Sequence, residues 1–276
     1  RRDGRPPSPN LMQAGYAVTV YNRTRARAEA LIDQGATYAA TPCKAAEGAD
    51  VVISMVRDDA ASRQVWLAAK TGAIHSLNPA AIAIEASTLT IRWVQHLATA
   101  LAEQQHTFLA IPVVGSRPQA EAKRLIGLAG GDTTAVQAVQ SLLAHAGIST
   151  LHVVGTASQA MTMKLAVNVL FGAQVAALAE MLTMLTQSGL QAAKAMDILR
   201  QIPITSPAMQ AASGLMINQQ HVPLFPIDLV EKDFRYAAES TTRQHSVCQA
   251  LQSVYQQAIA QGYGGDNITG IIQLFT

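Results

Sequence analysis

The chain has 276 residues, of which 49% are apolar and 14% charged, and its net charge is +2 at neutral pH. This balance excludes intrinsic disorder and gives no electrostatic reason to expect a nucleic-acid partner. It supplies enough chain for one or two domains with a buried core.

Residues 1–10, RRDGRPPSPN, are basic and proline-rich and carry no strand or helix pattern. Leu11 to Gly15 reads as the tail of a helix stopped by glycine. Ala17–Tyr21 is a short strand and Arg25–Gln34 a helix closing at Gly35. Ala49–Met55 is a buried strand, and Asp59–Lys70 a helix ending near Gly72. Strands are expected at Ala81–Glu85, Thr107–Val114, Leu125–Ala129 and Thr150–Val154. Helices are expected at Ile91–Gln105 and Thr133–Ala146. This alternation predicts a parallel sheet covered on both faces. Beyond residue 155 the strand signal ends. Ser158–Ser188 is one long apolar helix, followed by helices at Gln191–Gln201, Ser206–Ile217, Val230–Gln244 and Ser246–Ala260. The domain boundary is set near Gly155, giving a dinucleotide-binding domain over 1–155 and an all-helical substrate and oligomerisation domain over 156–276.

Two distant cysteines, Cys43 and Cys248, do not make a disulfide framework. The seven histidines lack the HxxxH or HxH spacing of a metal site, so no metal is expected. No segment reaches the roughly 18 uninterrupted apolar residues of a membrane span. Leu165–Leu185 comes closest, but Asn168, Gln174 and Glu180 favour a buried helix. The arginines at the start precede no apolar run, so no secretory signal is read there. The expected location is cytoplasmic, with no membrane and no nucleic acid as partners.

Four features carry chemistry. In YNRTRARAE (21–29) a strand runs into Asn22, Arg23 and Thr24, with Arg25 and Arg27 nearby. A neutral residue followed by arginine suits the 2′-phosphate of NADP, where an acidic residue would select NAD. The alternative is a solvated basic turn. In GTASQAMTMKLAVN (155–168), Lys164 and Asn168 lie four apart on one helix face and interrupt an apolar stretch, where charge is costly without a task. An amine in a semi-apolar cleft beside a cationic nicotinamide has a reduced pKa and serves as general acid or base. The alternative is a lysine that snorkels to solvent. In IPVVGSRPQAEAK (111–123) a strand meets a Gly–Ser turn whose amides can receive a carboxylate, with charge from Arg117, or an ordinary connection. In EKDF (231–234), Lys232 and Asp233 read by themselves as solvated surface residues.

Six segments occur together and in register: GYAVTVYNRT, ADVVISMVRDD, EAST, FLAIPVVGS, GTASQAMTMKLAVN and KDF. In this order the chain resembles the β-hydroxyacid dehydrogenase family, which includes 3-hydroxyisobutyrate and 6-phosphogluconate dehydrogenases. The resemblance covers residues 11 to about 270. It implies a Rossmann-like domain followed by an all-α domain, and an NADP(H)-dependent oxidoreductase, with NAD also possible. Hydride would pass between nicotinamide and a small hydroxy acid or its carbonyl counterpart. It further implies Lys164 as general acid/base and Asn168 as orienting residue. Asn22, Arg23, Thr24, Met55, Val56, Arg57, Thr88 and Lys232 would bind cofactor. Val113, Val114, Gly115, Ser116, Asn168 and Asp233 would bind substrate, with Asp233 also supporting Lys232. Homodimers or homotetramers are expected.

The chain departs from the family pattern in two places. Ala110 and Val114 replace an acidic residue and a serine of the substrate loop, which favours a less polar carbonyl, an aldehyde or an imine. Imine reductases share the fold, but Lys164 argues against that class. Against the family pattern the N-terminus reads as degenerate or truncated: the first strand is expected to be missing, and RRDGRPPSPN stands where the resemblance would place the pyrophosphate-binding glycine loop. A shifted reading frame, resuming near Asn10 or Leu11, is one expected cause. The alternative functions are a fold relative that has lost cofactor capture and acts as a binding protein, and an imine-reductase-like enzyme.

Overall fold

The structure is a computed structural model and describes residues 8–240 and 246–276. It divides into two compact units, one running up to Lys164 and the other Leu165–Thr276.

The first unit opens with α1 (Ser8–Gln13), closed by Gly15 at φ +90°, a left-handed stop that glycine adopts without penalty. Strand β1 (Thr19–Val20) pairs in parallel with β2 (Thr37–Tyr38). The helix expected between them divides into a 3₁₀ turn at Arg25–Arg27 and α2 (Glu29–Ile32). Its first turn closes with i+3 bonds, from Arg27 N to Thr24 O and from Ala28 N to Arg25 O, which wind it tighter than an α-helix. Helix α3 (Pro42–Ala46) was not expected; Thr41 caps it by accepting from Lys44 N at 3.1 Å.

Strand β3 (Val51–Ser54) leads to α4 (Asp59–Leu67), capped by Asp58, whose Oδ1 accepts from Ala61 N at 2.9 Å. Next come β4 (Ile82–Glu85), α5 (Ile91–Glu103), β5 (Thr107–Ala110), β6 (Val113–Val114) and the five-residue α6 (Arg117–Glu121). The unit continues with β7 (Leu125–Gly131), α7 (Thr133–His145) and β8 (Ile148–Gly155). The strand expected over Thr107–Val114 breaks at Ile111–Pro112. Proline has no N–H to give a ladder, and its carbonyl instead accepts from Leu128 N.

The main sheet has the order β3-β4-β5-β7-β6, with β8 beside β7. Strands β3, β4 and β5 are parallel, but β7 runs antiparallel to both β5 and β6, and β8 parallel to β7. The parallel sheet expected from the alternation is present over β3, β4 and β5, and the two antiparallel pairings of β7 make the sheet as a whole a mixed one. Between β5 and β7 the chain makes only the short β6 and α6, without a full crossover helix to carry it back for a parallel return. Among the described residues, β1 and β2 form a sheet separate from the six-stranded one. The expectation of a missing first strand and glycine loop falls on residues 1–10. Of these, 1–7 lie outside the described residues, and Ser8–Asn10 open α1.

Alternate residues of β4 and β5 feed opposite faces, as strand geometry requires. Ala83 and Ala110 pack with Trp66, Trp93, Val94, Leu97 and Leu101. Ile84 and Leu109 pack with Val136, Val139 and Leu143 of α7.

Helix α8 (Ala157–Gln187) has 31 residues and is long and apolar enough by composition to cross a membrane. Its residues Ala160 and Met161 pack in the core of the first unit. In the second unit its residues Val175, Ala176, Leu178, Ala179 and Leu182 pack with Met196, Phe234, Tyr255 and Ile271. The rest of that unit is α9 (Ala192–Leu199), α10 (Pro207–Ile217), α11 (Ile227–Ala238), α12 (Ser246–Ala260) and two 3₁₀ turns at Tyr263–Gly265 and Ile268–Leu274. Helix α11 starts one turn earlier than expected, just after Pro226, which can stand at a helix start without losing a needed hydrogen bond. The helix ends at Ala238, and residues 241–244 of the helix expected to run to Gln244 lie outside the described residues. Tyr255 is fully buried and donates its hydroxyl to Gly172 O at 2.8 Å.

Candidate active site

Lys164 and Asn168 sit one turn apart on α8, and both are buried, at 7% and 8% exposure. The snorkelling alternative for Lys164 fails on that number. Three residues before the lysine, Met161 Sδ accepts from Leu89 N at 3.3 Å. The first turns of α8 are thereby fixed to the segment that follows β4. In the second unit, Asn168 Nδ2 donates to Asp233 Oδ2 at 2.6 Å, a short bond strengthened by the carboxylate's charge. Lys232 Nζ lies 2.9 Å from Asp233 Oδ1 and 4.6 Å from the centre of the Tyr236 ring. Lys232 and Asp233 are buried at 7% and 2% exposure, so the solvated-surface reading of EKDF is overturned. A buried carboxylate of this kind requires paired cations or donors, and here it holds the Asn168 amide in one orientation.

In the first unit the turn after β1 is organised by Asn22, whose Oδ1 accepts from Thr24 N at 2.9 Å. Arg23, Thr24, Arg25 and Arg27 are exposed, and the Arg25 guanidinium stacks 4.8 Å over the Tyr38 ring of β2. After β3, Met55 is half exposed, Val56 is partly buried and Arg57 is exposed. Val56 N donates to Ser87 Oγ at 2.7 Å, tying this turn to the one that carries Thr88.

The loop Val113–Ser116 has Gly115 at φ +127°, and a Cβ there would come within 2.8 Å of Leu125. Only glycine makes this turn. Gln119 Oε1 accepts from both the amide (3.0 Å) and the hydroxyl (2.9 Å) of Ser116, so the donors assigned to a substrate carboxylate are engaged within α6. Arg117 is the first residue of that helix. A hollow of about 460 Å³, lined by His106, Phe108, Thr133, Gly155 and Gln159 among others, contains none of the predicted site residues.

Sequence reasoning assigned no role to Glu85, which entered only as the end of the expected strand Ala81–Glu85 and the first letter of EAST. It is fully buried, and its carboxylate is the hub of a network. Oε1 accepts from the Ser87 amide (3.0 Å) and hydroxyl (2.5 Å). Oε2 accepts from Ser62 Oγ (2.6 Å) and Trp66 Nε1 (3.0 Å). Burial pushes its carboxyl above the usual range, against the downward pull of the bonds from Ser62, Ser87 and Trp66. An acidic residue closing the apolar run AIAI was the available signal.

A sequence family described as the NAD binding domain of 6-phosphogluconate dehydrogenase matches residues 4–156, and one described as NAD-binding of NADP-dependent 3-hydroxyisobutyrate dehydrogenase matches 158–275. The chain belongs to the β-hydroxyacid dehydrogenase family. As a β-hydroxyacid dehydrogenase it is an NAD(P)-dependent oxidoreductase of the kind that acts on CH–OH groups. It is 32% identical over 266 residues to the uncharacterised oxidoreductase YfjR of Bacillus subtilis (strain 168), covering 95% of this chain and 92% of that one. It is 27% identical over 273 residues to glyoxylate/succinic semialdehyde reductase 2, chloroplastic, of Arabidopsis thaliana, covering 98% and 76%. Its fold matches that of Mycobacterium tuberculosis 3-hydroxyisobutyrate dehydrogenase with L-serine, with a TM-score of 0.88 at 20% identity over 98% of this chain and 94% of that one. A Rossmann-like domain followed by a helical domain is thus the fold of the dehydrogenase.

Proposed function

We propose that this dehydrogenase uses NADP(H) to interconvert a small hydroxy acid and its carbonyl counterpart, with Lys164 as general acid/base. The observation that carries the reading is the buried pair Lys164 and Asn168, one turn apart, with the Asn168 amide held by a buried carboxylate.

Residues 1–155 are assigned to cofactor binding and 156–276 to substrate binding and assembly. The exposed Arg23 on the Asn22-organised turn has the donor chemistry that a 2′-phosphate needs, and no acidic residue stands there to repel it. Arg23, Asn22 and Thr24 would hold the phosphate-bearing ribose. Met55, Val56, Arg57, Thr88 and Lys232 would hold the rest of the cofactor. When bound, the nicotinamide supplies or accepts the hydride.

Lys164 Nζ takes the hydroxyl proton in oxidation and returns it to the carbonyl oxygen in reduction. Asn168, fixed by Asp233, orients the substrate oxygen. Val113 to Ser116 would face the substrate. Binding of a carboxylate at Ser116 requires its donors to leave Gln119, and Val114 adds no hydroxyl. These features favour a less polar carbonyl than a simple 3-hydroxy acid offers.

A homodimer or homotetramer is proposed through α8. Met163, Ala166, Leu170, Ala177, Met181 and Met184 are exposed and share one face of it, an apolar stripe of the kind a partner helix covers.

The test is a titration of the purified chain with NADPH and with NADH, followed by turnover assays on glyoxylate, succinic semialdehyde and 3-hydroxyisobutyrate. The expected result is tighter binding of NADPH and turnover of at least one aldehyde or hydroxy acid. Binding of neither nucleotide would overturn the reading and leave a binding protein on this fold.

A further inference from the structure

In open α/β sheets, ligands bind beyond the carboxyl ends of the strands. The turns that leave β3 and β4 in this chain are joined there by one buried carboxylate. We infer that Glu85 is a positioning residue for dinucleotide capture: through Ser87 it locks the Met55–Arg57 turn to the Ala86–Thr88 turn. This rests on the reading that those two turns receive the cofactor.

The geometry is specific. Ser87 Oγ accepts from Val56 N at 2.7 Å and donates its one proton to Glu85 Oε1 at 2.5 Å. Ser62 Oγ accepts from Trp93 Nε1 at 2.9 Å and donates to Glu85 Oε2 at 2.6 Å. With the Ser87 amide and the Trp66 indole, four donors converge on two oxygens. The Glu85 main chain is pinned as well. It pairs with Ser54 in β3 and Ala110 in β5, its carbonyl accepts from Ile111 N at 2.9 Å, and Ala86 N donates to Ser54 O at 2.8 Å. One residue thus fixes the exits of three strands.

The donor set also says what cannot replace it. A glutamine is the same size but keeps one acceptor oxygen. Its NH₂ would face either the Ser87 amide or the Trp66 indole N–H, and neither can accept a hydrogen bond. The network must open on one side, and with the Ser87 side goes the hold on Val56. Both tryptophans of the chain, Trp66 and Trp93, donate into this cluster, so tryptophan emission responds to it.

The experiment measures NADPH affinity, melting temperature and tryptophan emission for the wild-type chain, Glu85→Gln, Ser87→Ala and the double variant. Each single variant is expected to bind NADPH about tenfold more weakly, the scale of one hydrogen bond to a charged group. The double variant should bind no more weakly than either single one, because both cut the same link. Emission should shift in Glu85→Gln. A merely structural role would lower the melting temperature and leave the NADPH affinity of the folded protein unchanged. If Glu85→Gln does not fold, Ser87→Ala carries the test, since it keeps the carboxylate and removes only the bridge. Wild-type affinity in the variants, or additive losses in the double variant, overturns the inference alone. A wild-type chain that binds neither NADPH nor NADH overturns the cofactor reading, and the inference with it.

Discussion

Among the described residues Lys164 is one of the few charged side chains that are buried. Removing the amine should therefore show in chemistry more than in folding. Lys164→Ala is expected to lower kcat about 10²- to 10⁴-fold, the usual worth of a positioned acid/base, with an unchanged circular dichroism spectrum. Turnover at the wild-type rate would return the lysine to a packing role and favour the imine-reductase alternative. Arg23 is exposed and touches no core, so Arg23→Ala should leave stability alone. It should weaken NADPH by roughly tenfold or more while sparing NADH, measured by competition titration. Equal losses for both nucleotides would show that the arginine reads the shared pyrophosphate or adenine and does not set the preference.

At the scale of elements, α8 and α11 divide the helical unit's labour by face. On α11, Lys232 and Asp233 turn to Asn168 and Tyr236, while Val230 and Phe234 enter the core. The two helices approach closely at Gly172, where a Cβ would come within 2.6 Å of the Phe234 ring. Gly172→Ala should destabilise by about 1–3 kcal/mol, the usual cost of overpacking, read as a lower urea midpoint. The loop before α11 has its own tether. His221 Nδ1 is 3.3 Å from Thr269 Oγ1, and burial depresses its pKa below the usual value of 6.5 despite the nearby Asp266. The unfolded chain then takes up this proton more readily than the native one. The stability linked to neutral His221 is present above pH 6.5 and is lost as the pH falls through that value to the lower native pKa. His221→Gln should flatten the fall in urea midpoint between pH 8 and pH 5.5. An equally steep fall would assign the pH dependence to other groups.

For the whole molecule, the exposed stripe on α8 is a feature that a lone chain leaves unexplained. Leu170 is 63% exposed and Met184 53%. If the stripe is covered by a second copy, Leu170→Glu should shift the sedimentation of the protein toward monomer without lowering its helix content, because neither residue packs in the described core. A wild-type chain already monomeric at micromolar concentration would remove the oligomer from the proposal.

The short β2 and α3 and the break that sets β6 apart from β5 were not legible in the sequence. Most of the order of strands and helices, the change to an all-helical second half, and the placing of Lys164 and Asn168 on one helix face were. Each rests on a local period or spacing: two for strands, 3.6 for helices, four for one helix face. The arginine turn was legible for the same reason, since its residues are contiguous. What the tertiary structure decided is where distant residues meet. It turned β7 antiparallel, because strand direction follows from how far a connection can travel. It buried Lys232 and Asp233, which composition alone assigns to solvent, and brought Asn168 to Asp233 from 65 residues away. It also made Glu85 a hub, since four donors spread from Ser62 to Ser87 converge on one carboxylate only after the strand ends are aligned.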